Sequence, residues 1–178
     1  MALDEELRKI VLSCRWLFRG TTVPNFASRM AGRNIYFGNP DPSRGKHAVA
    51  TSTTPVLVYA MTYAMQRVGD TRPHVHPLLL AIDSRPYIDA IEPGIEGHRL
   101  PIEFVITKPI QLEHMEIICD REQIATYSPS AAPEDLQRLQ NAFDVMVRKS
   151  STAAYNQRQL EQAFRIGQIE GNSPWRGF

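Results

Sequence analysis

Residues 17–22 read Leu-Phe-Arg-Gly-Thr-Thr, directly after Cys14, Arg15 and Trp16. Aromatic and aliphatic side chains in a short run, closed by a glycine, favour a pleated and largely buried strand. That strand delivers a permanent cation, Arg19, to its own end. Such an arginine is either a solvated strand terminus or a planar clamp for a phosphate. Gly20 beside it would let the backbone come close to a ligand. The choice depends on what the rest of the chain brings to the same place.

Upstream, residues 4–11 have the apolar spacing of a short amphipathic helix, with Leu7, Ile10 and Val11 on one face. Downstream, residues 21–46 are polar and punctuated by Gly32, Gly38, Pro40, Pro42 and Gly45. This reads as a long loop with a short helix near Phe26–Met30, and so long a loop inside a domain is usually functional. Residues 47–52 form a second strand. Thr54 and Pro55 then supply an N-cap and a first helical residue, and Gly69 a terminator, for a helix through "PVLVYAMTYAMQRV". "HPLLLAIDS" is a strand that turns at Asp83–Pro86, "YIDAIEPGIEGHRLP" is irregular, and "IEFVIT" and "MEIICD" are further strands. After about Ser130 only helical patterns remain. This order lacks the strict strand–helix alternation of a doubly wound sheet. It predicts an α+β fold with a bent, mixed sheet flanked by helices. One domain is expected over 1–178, with a core at 1–127 and a helical C-terminal extension at 128–178.

The net charge of +1 over 178 residues argues against a dedicated nucleic-acid or anionic-membrane surface, though a local basic pocket remains compatible with it. Cys14 and Cys119 are too few for a disulfide framework and have no metal-ligand spacing. The acidic N-terminus lacks the basic and apolar regions of a signal peptide, and no apolar run is long enough for a membrane span. A cytoplasmic location, or secretion into a target cell without a cleavable signal, is the expectation.

Three segments share one design. "LFRGTT" ends a strand at Arg19. "VATSTTP" ends a strand at Ser52 and passes at once into a helix. "PIEFVITKPI" begins a strand at Glu103. A cation, a hydroxyl and a carboxylate could thus meet in one cleft. In motif and order this resembles the ADP-ribosyltransferase superfamily in its arginine–serine–glutamate form, the group of the cholera- and pertussis-type toxins. The resemblance covers roughly Trp16 to Cys119. It rests on Phe18-Arg19-Gly20, on Ser52-Thr53-Thr54 before the helix, and on Glu103. A later strand pattern has Ile110, Gln111 and Met115 in the matching places. It implies a split sheet and mono-ADP-ribosyl transfer from NAD as co-substrate, by an effector or virulence toxin.

The chemistry agrees with that implication. Breaking the glycosidic bond of NAD passes through an oxocarbenium-like state. A guanidinium suits the phosphates, a carboxylate near the ribose favours the developing positive charge, and a hydroxyl can orient that carboxylate. The resemblance accordingly implies Arg19, Ser52 and Glu103 as catalytic. It further implies Arg19, Gly20, Thr21, Ser52, Thr53, Tyr59 and Tyr63 as NAD contacts, although the helical spacing of the two tyrosines by itself indicates a core role. Arginine-modifying members carry a second carboxylate two positions before the catalytic glutamate, where this chain has Pro101. A non-arginine acceptor is therefore implied, most simply on a protein, with a chaperone or immunity protein as a further partner. NAD hydrolysis, or a binding module that keeps the fold without activity, are the alternatives. An RNA 2′-phosphotransferase would need a strongly basic site with its own His and Arg motifs, which do not occur here.

Other features have plainer readings. His74 and His76 lie between Pro73 and Pro77 with no third ligand nearby, so a solvated loop is expected and no metal. Asp83 could cap a turn or bind ribose. Arg33, Arg44 and Lys46 could hold the adenine-side phosphates or simply solvate a loop. Glu96 lies near the third motif without matching it. Leu136, Leu139, Phe143, Val145 and Met146 can pack a late helix against the sheet.

Overall fold

Seven consecutive buried residues, Pro77–Asp83, show how the chain is layered. A strand buried on both faces must be covered on both faces. In the computed structural model, which describes residues 5–22, 26, 29–31, 33–35, 50–68, 77–94, 103–118 and 120–148, this strand lies at the centre of a sheet. The elements are α1 (Glu5–Cys14), β1 (Trp16–Thr22), β2 (Met30–Ala31), β3 (Asn34–Ile35), β4 (Thr51–Thr53), α2 (Leu57–Val68), β5 (Pro77–Asp83), β6 (Ile91–Pro93), β7 (Phe104–Ile106), β8 (Ile110–Gln111), β9 (Met115–Ile117), α3 (Arg121–Tyr127) and α4 (Pro133–Arg148). Short 3-10 helices cover Arg85–Ala90 and Leu112–His114.

Strand alternation sorts side chains into two cores. Leu78, Leu80 and Ile82 of β5, with Leu17 of β1, face a first core that includes Val11, Phe26, Ile35, Ile91, Phe104, Ile106 and Ile110. Leu79 and Ala81, with Phe18, face a second core built by helices α2, α3 and α4 through Leu57, Met61, Ile124, Phe143 and Met146. Phe143 and Met146 are almost wholly buried. Each such side chain contributes about 1.5–3 kcal/mol, so α4 is bound into the second core.

The sheets have the orders β1-β5-β9, β4-β7-β6 and β2-β3-β8. The fold is α+β, but every pairing among the described residues is antiparallel, where a mixed sheet was expected. The reason lies in the connection through α2. It leads from β4 to β5, which joins a different sheet beside β1 and β9, so no parallel strand–helix–strand unit closes.

Arg15 makes the sharp passage from α1 to β1 with φ 51°, a left-handed conformation more usual for glycine. Its guanidinium lies 4.9 Å from the Trp16 ring and 3.7 Å from Asp83, which holds the turn. At the other end of the helix–strand packing, Gly20 allows β1 to meet α2 backbone to backbone. A Cβ there would lie 1.8 Å from the Ala60 carbonyl oxygen and 2.6 Å from the Ala64 nitrogen.

Helix α2 starts at Leu57 rather than Pro55. Thr54 is held in a bridge with Phe18, and its hydroxyl accepts from the Val56 amide at 3.1 Å, closing a local turn before the helix begins. Helix α3 was not anticipated. Its sequence signal is the capping box Asp120–Gln123, in which each side chain bonds the other's backbone amide. Among the described residues no helix is long and apolar enough to cross a membrane.

Candidate functional site

Among the described residues, the sheets β1-β5-β9 and β4-β7-β6 are joined by one isolated antiparallel bridge, Phe18 with Thr54. The Phe18 amide donates to the Thr54 carbonyl at 2.7 Å, and the Thr54 amide donates to the Phe18 carbonyl at 2.9 Å. Two residues further along an antiparallel ladder, Gly20 would meet Ser52. That rung is absent from the pairing, and Arg19 takes its place: Nη1 donates to the Ser52 carbonyl oxygen at 2.8 Å. The guanidinium therefore stands in the split between the sheets and caps an acceptor that the ladder leaves exposed. A charged donor makes this bond stronger than a neutral one. It fixes the partly exposed Arg19 beside the Ser52 backbone.

Register and alternation place the other groups. In β4-β7-β6, one face carries Thr51, Thr53, Phe104, Ile106 and Ile91, all buried. The opposite face carries Ser52, Val105 and Glu92 as one cross-strand row, since Ser52 and Glu92 both pair with Val105. Ser52 is exposed, and Val105 and Glu92 are partly so.

Glu103 precedes β7 and continues its pairing, because the Gly94 amide donates to the Glu103 carbonyl at 2.8 Å. A Cβ on Gly94 would lie 2.7 Å from the Glu103 Cβ and 2.9 Å from its Cγ. The Glu103 side chain thus occupies the space that any larger residue at 94 would need. By alternation Gly94 shares a face with Glu92, so Glu103 leans over the Ser52–Val105–Glu92 face. Diagonal neighbours on a sheet face lie about 7–8 Å apart, with their Cβ atoms somewhat closer, within reach of long side chains. Ser52 and Glu92 are both diagonal neighbours of Glu103, one on each side.

The remaining expected contacts fall as follows. Thr21 and Thr53 are buried, and the Thr53 hydroxyl donates to the Phe104 carbonyl at 2.8 Å. Gly20 faces α2, so helix packing accounts for that glycine. Tyr59 and Tyr63 are 41% and 46% exposed, so the core role suggested by their spacing does not hold. With Val58 and Thr62 they form the outer face of α2.

Asp83 acts as a turn clamp. It accepts from the Arg85 amide at 3.1 Å and from the Arg85 side chain at 2.9 Å and 2.5 Å. The hydrogen bonds from Arg85 hold its carboxyl below the usual carboxylate range, against the opposing effect of burial. It pairs with Trp16, at the end of β1 away from the split. Arg33 is exposed. Arg44, Lys46, His74, His76, Glu96, Pro101 and Cys119 lie outside the described residues. Among the described residues no group of three or more His, Cys, Asp or Glu side chains could hold a metal.

Glu92 and Gly94 were missed because "IEPG" reads as irregular chain. The available signal was the alternation of Ile91, Glu92 and Pro93 just before a glycine. Comparison with protein-family models, curated proteins and solved structures finds no match to this chain.

Proposed function

We propose that the chain is an NAD-dependent mono-ADP-ribosyltransferase of the arginine–serine–glutamate type. It would be an effector or toxin that modifies a non-arginine acceptor on a protein of a host or competitor cell. The observation that carries this reading is the Arg19–Ser52 bond at the split between two sheets, with Glu103 one diagonal step away on the paired strand. Three motifs that are far apart in sequence thereby share one region of the fold. In this reading Arg19 holds the NAD phosphates. Glu103 binds the ribose hydroxyl and favours the oxocarbenium ion, while Ser52 orients Glu103. Nicotinamide departs with the bonding electrons, and the acceptor attacks the anomeric carbon.

The test compares the full chain with Glu103→Gln, using labelled NAD and a whole-cell lysate. Loss of a correctly positioned carboxylate at an oxocarbenium centre is expected to lower transfer by about 10²–10³-fold, with the melting temperature retained. Transfer that persists unchanged in the variant sinks the assignment of Glu103. Nicotinamide release without any labelled macromolecule would make the protein an NAD glycohydrolase. Absence of NAD binding by calorimetry would leave a binding module.

A further inference from the structure

Tyr87, in the 3-10 helix Arg85–Ala90, joins the small sheet β2-β3-β8 to the first core. The Gln111 amide of β8 donates to Tyr87 Oη at 2.8 Å, and the same oxygen lies 3.0 Å from His114 Nδ1. We infer that this arrangement is a pH-sensitive latch: a neutral His114 fastens β8 through Tyr87, and a protonated His114 releases it. The latch needs no NAD chemistry. Tyr87 is buried, and a buried donor left without an acceptor is costly. Its oxygen already accepts from Gln111, so its own proton needs a partner. Among the described residues His114 Nδ1 is the acceptor within reach. The hydrogen-bond network thus assigns the ring: Nδ1 is bare, and Nε2 carries the proton, 3.8 Å from Glu113 Oε1.

A histidine gains its second proton as pH falls from about 8 to about 5. Here that proton must land on Nδ1, because Nε2 already holds one. An N–H then faces an O–H, two donors across one short contact. Tyr87 cannot resolve this by ionising. Burial raises its pKa, against the Gln111 hydrogen bond and together with the Glu113 and Asp83 charges. On the other side of the imidazole, the largely exposed Glu113 carboxylate attracts the charged ring. The ring therefore gives up Tyr87 and turns toward Glu113. The phenol, left with an unmet donor in the core, must move toward water, and the Gln111 bond weakens with it. Two arrangements thus differ by one proton. The charged groups of the surrounding elements have other settings. Asp83 and Arg85 hold each other, Asp89 pairs with Arg8, and Glu116 of β9 accepts from Tyr127. Lys108 and Arg33 are exposed, and the Arg33 carbonyl accepts from the Leu112 amide at 2.9 Å. Among the described residues Glu113 is the charged group in ion-pair range of His114.

The experiment follows the isotope-labelled full chain by NMR from about pH 8 to about pH 5. It reads the His114 ring titration and the protection of single amides against hydrogen exchange, corrected for intrinsic exchange. In the wild type, Gln111 protection is expected to fall by about fivefold, the worth of one hydrogen bond, along the His114 titration. Leu112 protection falls with it. The Thr107 amide, which donates to the Ala90 carbonyl at 2.8 Å at the end of the same 3-10 helix, keeps its protection. Tyr87→Phe retains the ring in the core and gives the low Gln111 protection at both ends of the range. His114→Gln cannot titrate and gives a Gln111 protection that does not change with pH. The latch is overturned by wild-type Gln111 protection that stays within about twofold while His114 titrates, or by a Gln111 amide unprotected even at about pH 8. A His114 that does not titrate in this range, a Tyr87→Phe chain with wild-type protection, or a pH dependence that survives in His114→Gln overturns it equally.

Discussion

Gly20→Ala tests the packing that places Arg19, and it does so without assuming any activity. The added Cβ would lie 1.8 Å from the Ala60 carbonyl oxygen, 2.6 Å from the Ala64 nitrogen and 2.8 Å from the Ala60 carbonyl carbon. A carbon–oxygen contact is comfortable at about 3.3 Å or more, so β1 and α2 must part by about 1.5 Å. All three clashing atoms are backbone, so no rotamer change relieves them. A gap of 0.5–1 Å already forfeits a quarter to a half of each dispersion contact. Phe18, Met61 and Ala64, which lie in the second core, lose contacts in this way. Overpacking of a core typically costs about 1–3 kcal/mol, and a rigid backbone clash falls at or above the upper end. Alanine also stiffens the unfolded chain, which offsets the loss by about 0.4–1 kcal/mol. A net loss of about 2–3 kcal/mol corresponds to a fall of roughly 4–12 °C in melting temperature for a chain of this size. The assay is thermal unfolding followed by circular dichroism. A fall of less than about 2 °C would refute the close β1–α2 packing, and with it the positioning of Arg19 at the sheet split.

Gly94→Ala addresses the other side of the site: its Cβ would collide with Glu103 at 2.7 Å, and a displacement of about 1 Å can cost 10²-fold in rate. On the proposed NAD-cleaving reading, nicotinamide release should fall by about 10–100-fold in kcat with the KM for NAD little changed, and equal kcat for variant and wild type would contradict the role given to Glu103. Asp83 gives a pH-dependent test. Its pKa is lower in the folded chain than in the unfolded one, chiefly through hydrogen bonds from Arg85, so its stabilisation is present above the unfolded value and is lost as pH falls through the folded one. Asp83→Asn should cost about 1 kcal/mol at pH 7, discounted because both partner arginines are largely exposed. The difference from wild type should shrink below about pH 4 in urea unfolding curves, and a difference that stays constant down to pH 2 would contradict the clamp.

How far the sequence reveals the fold depends on whether a residue's environment is set locally. The run at Pro77–Asp83 is legible because a strand covered on both faces must be apolar along its length, whereas β1 continues past Gly20 to Thr22, so Arg19 stands within the strand and not at its expected end. Helix α4 is legible from its 3.6-residue pattern except at Val145, which is exposed, while Val147 packs against the second core. The short strands β2, β3 and β8, of two residues each, carry no periodic signal, and only their pairing partners define them. Tyr59 and Tyr63 show the opposite failure. Their spacing is that of a buried face, yet Ala60, Met61 and Ala64 take the inward positions, and Ala60 and Ala64 are the small residues that meet β1 where it comes so close. Arg19, Ser52 and Glu103 could be named as candidates. The bond from Arg19 to the Ser52 backbone could not, because it depends on a missing rung between two strands.

The two glycines explain why the candidate residues stand on strands rather than on loops. A side chain is held to within a few tenths of an ångström only when packed atoms limit its freedom, and regular elements supply such limits better than loops do. Arg19 is followed by Gly20, whose missing Cβ lets α2 press against β1 and hold the strand that carries the guanidinium. Glu103 is opposed by Gly94, whose missing Cβ leaves the volume that the Glu103 side chain fills. In both cases a glycine is required by what approaches it from the protein itself. The arginine and the glutamate are thus positioned from opposite sides of β4, and Ser52 lies between them, bonded through its backbone to one and a diagonal step from the other. A wedge that merely closed the sheet split would not require a carboxylate held on the neighbouring strand. On the proposed reading, a cation fixed at the split and a carboxylate on the neighbouring strand, on either side of the exposed Ser52, suit a ligand that carries both negative phosphates and a developing positive charge.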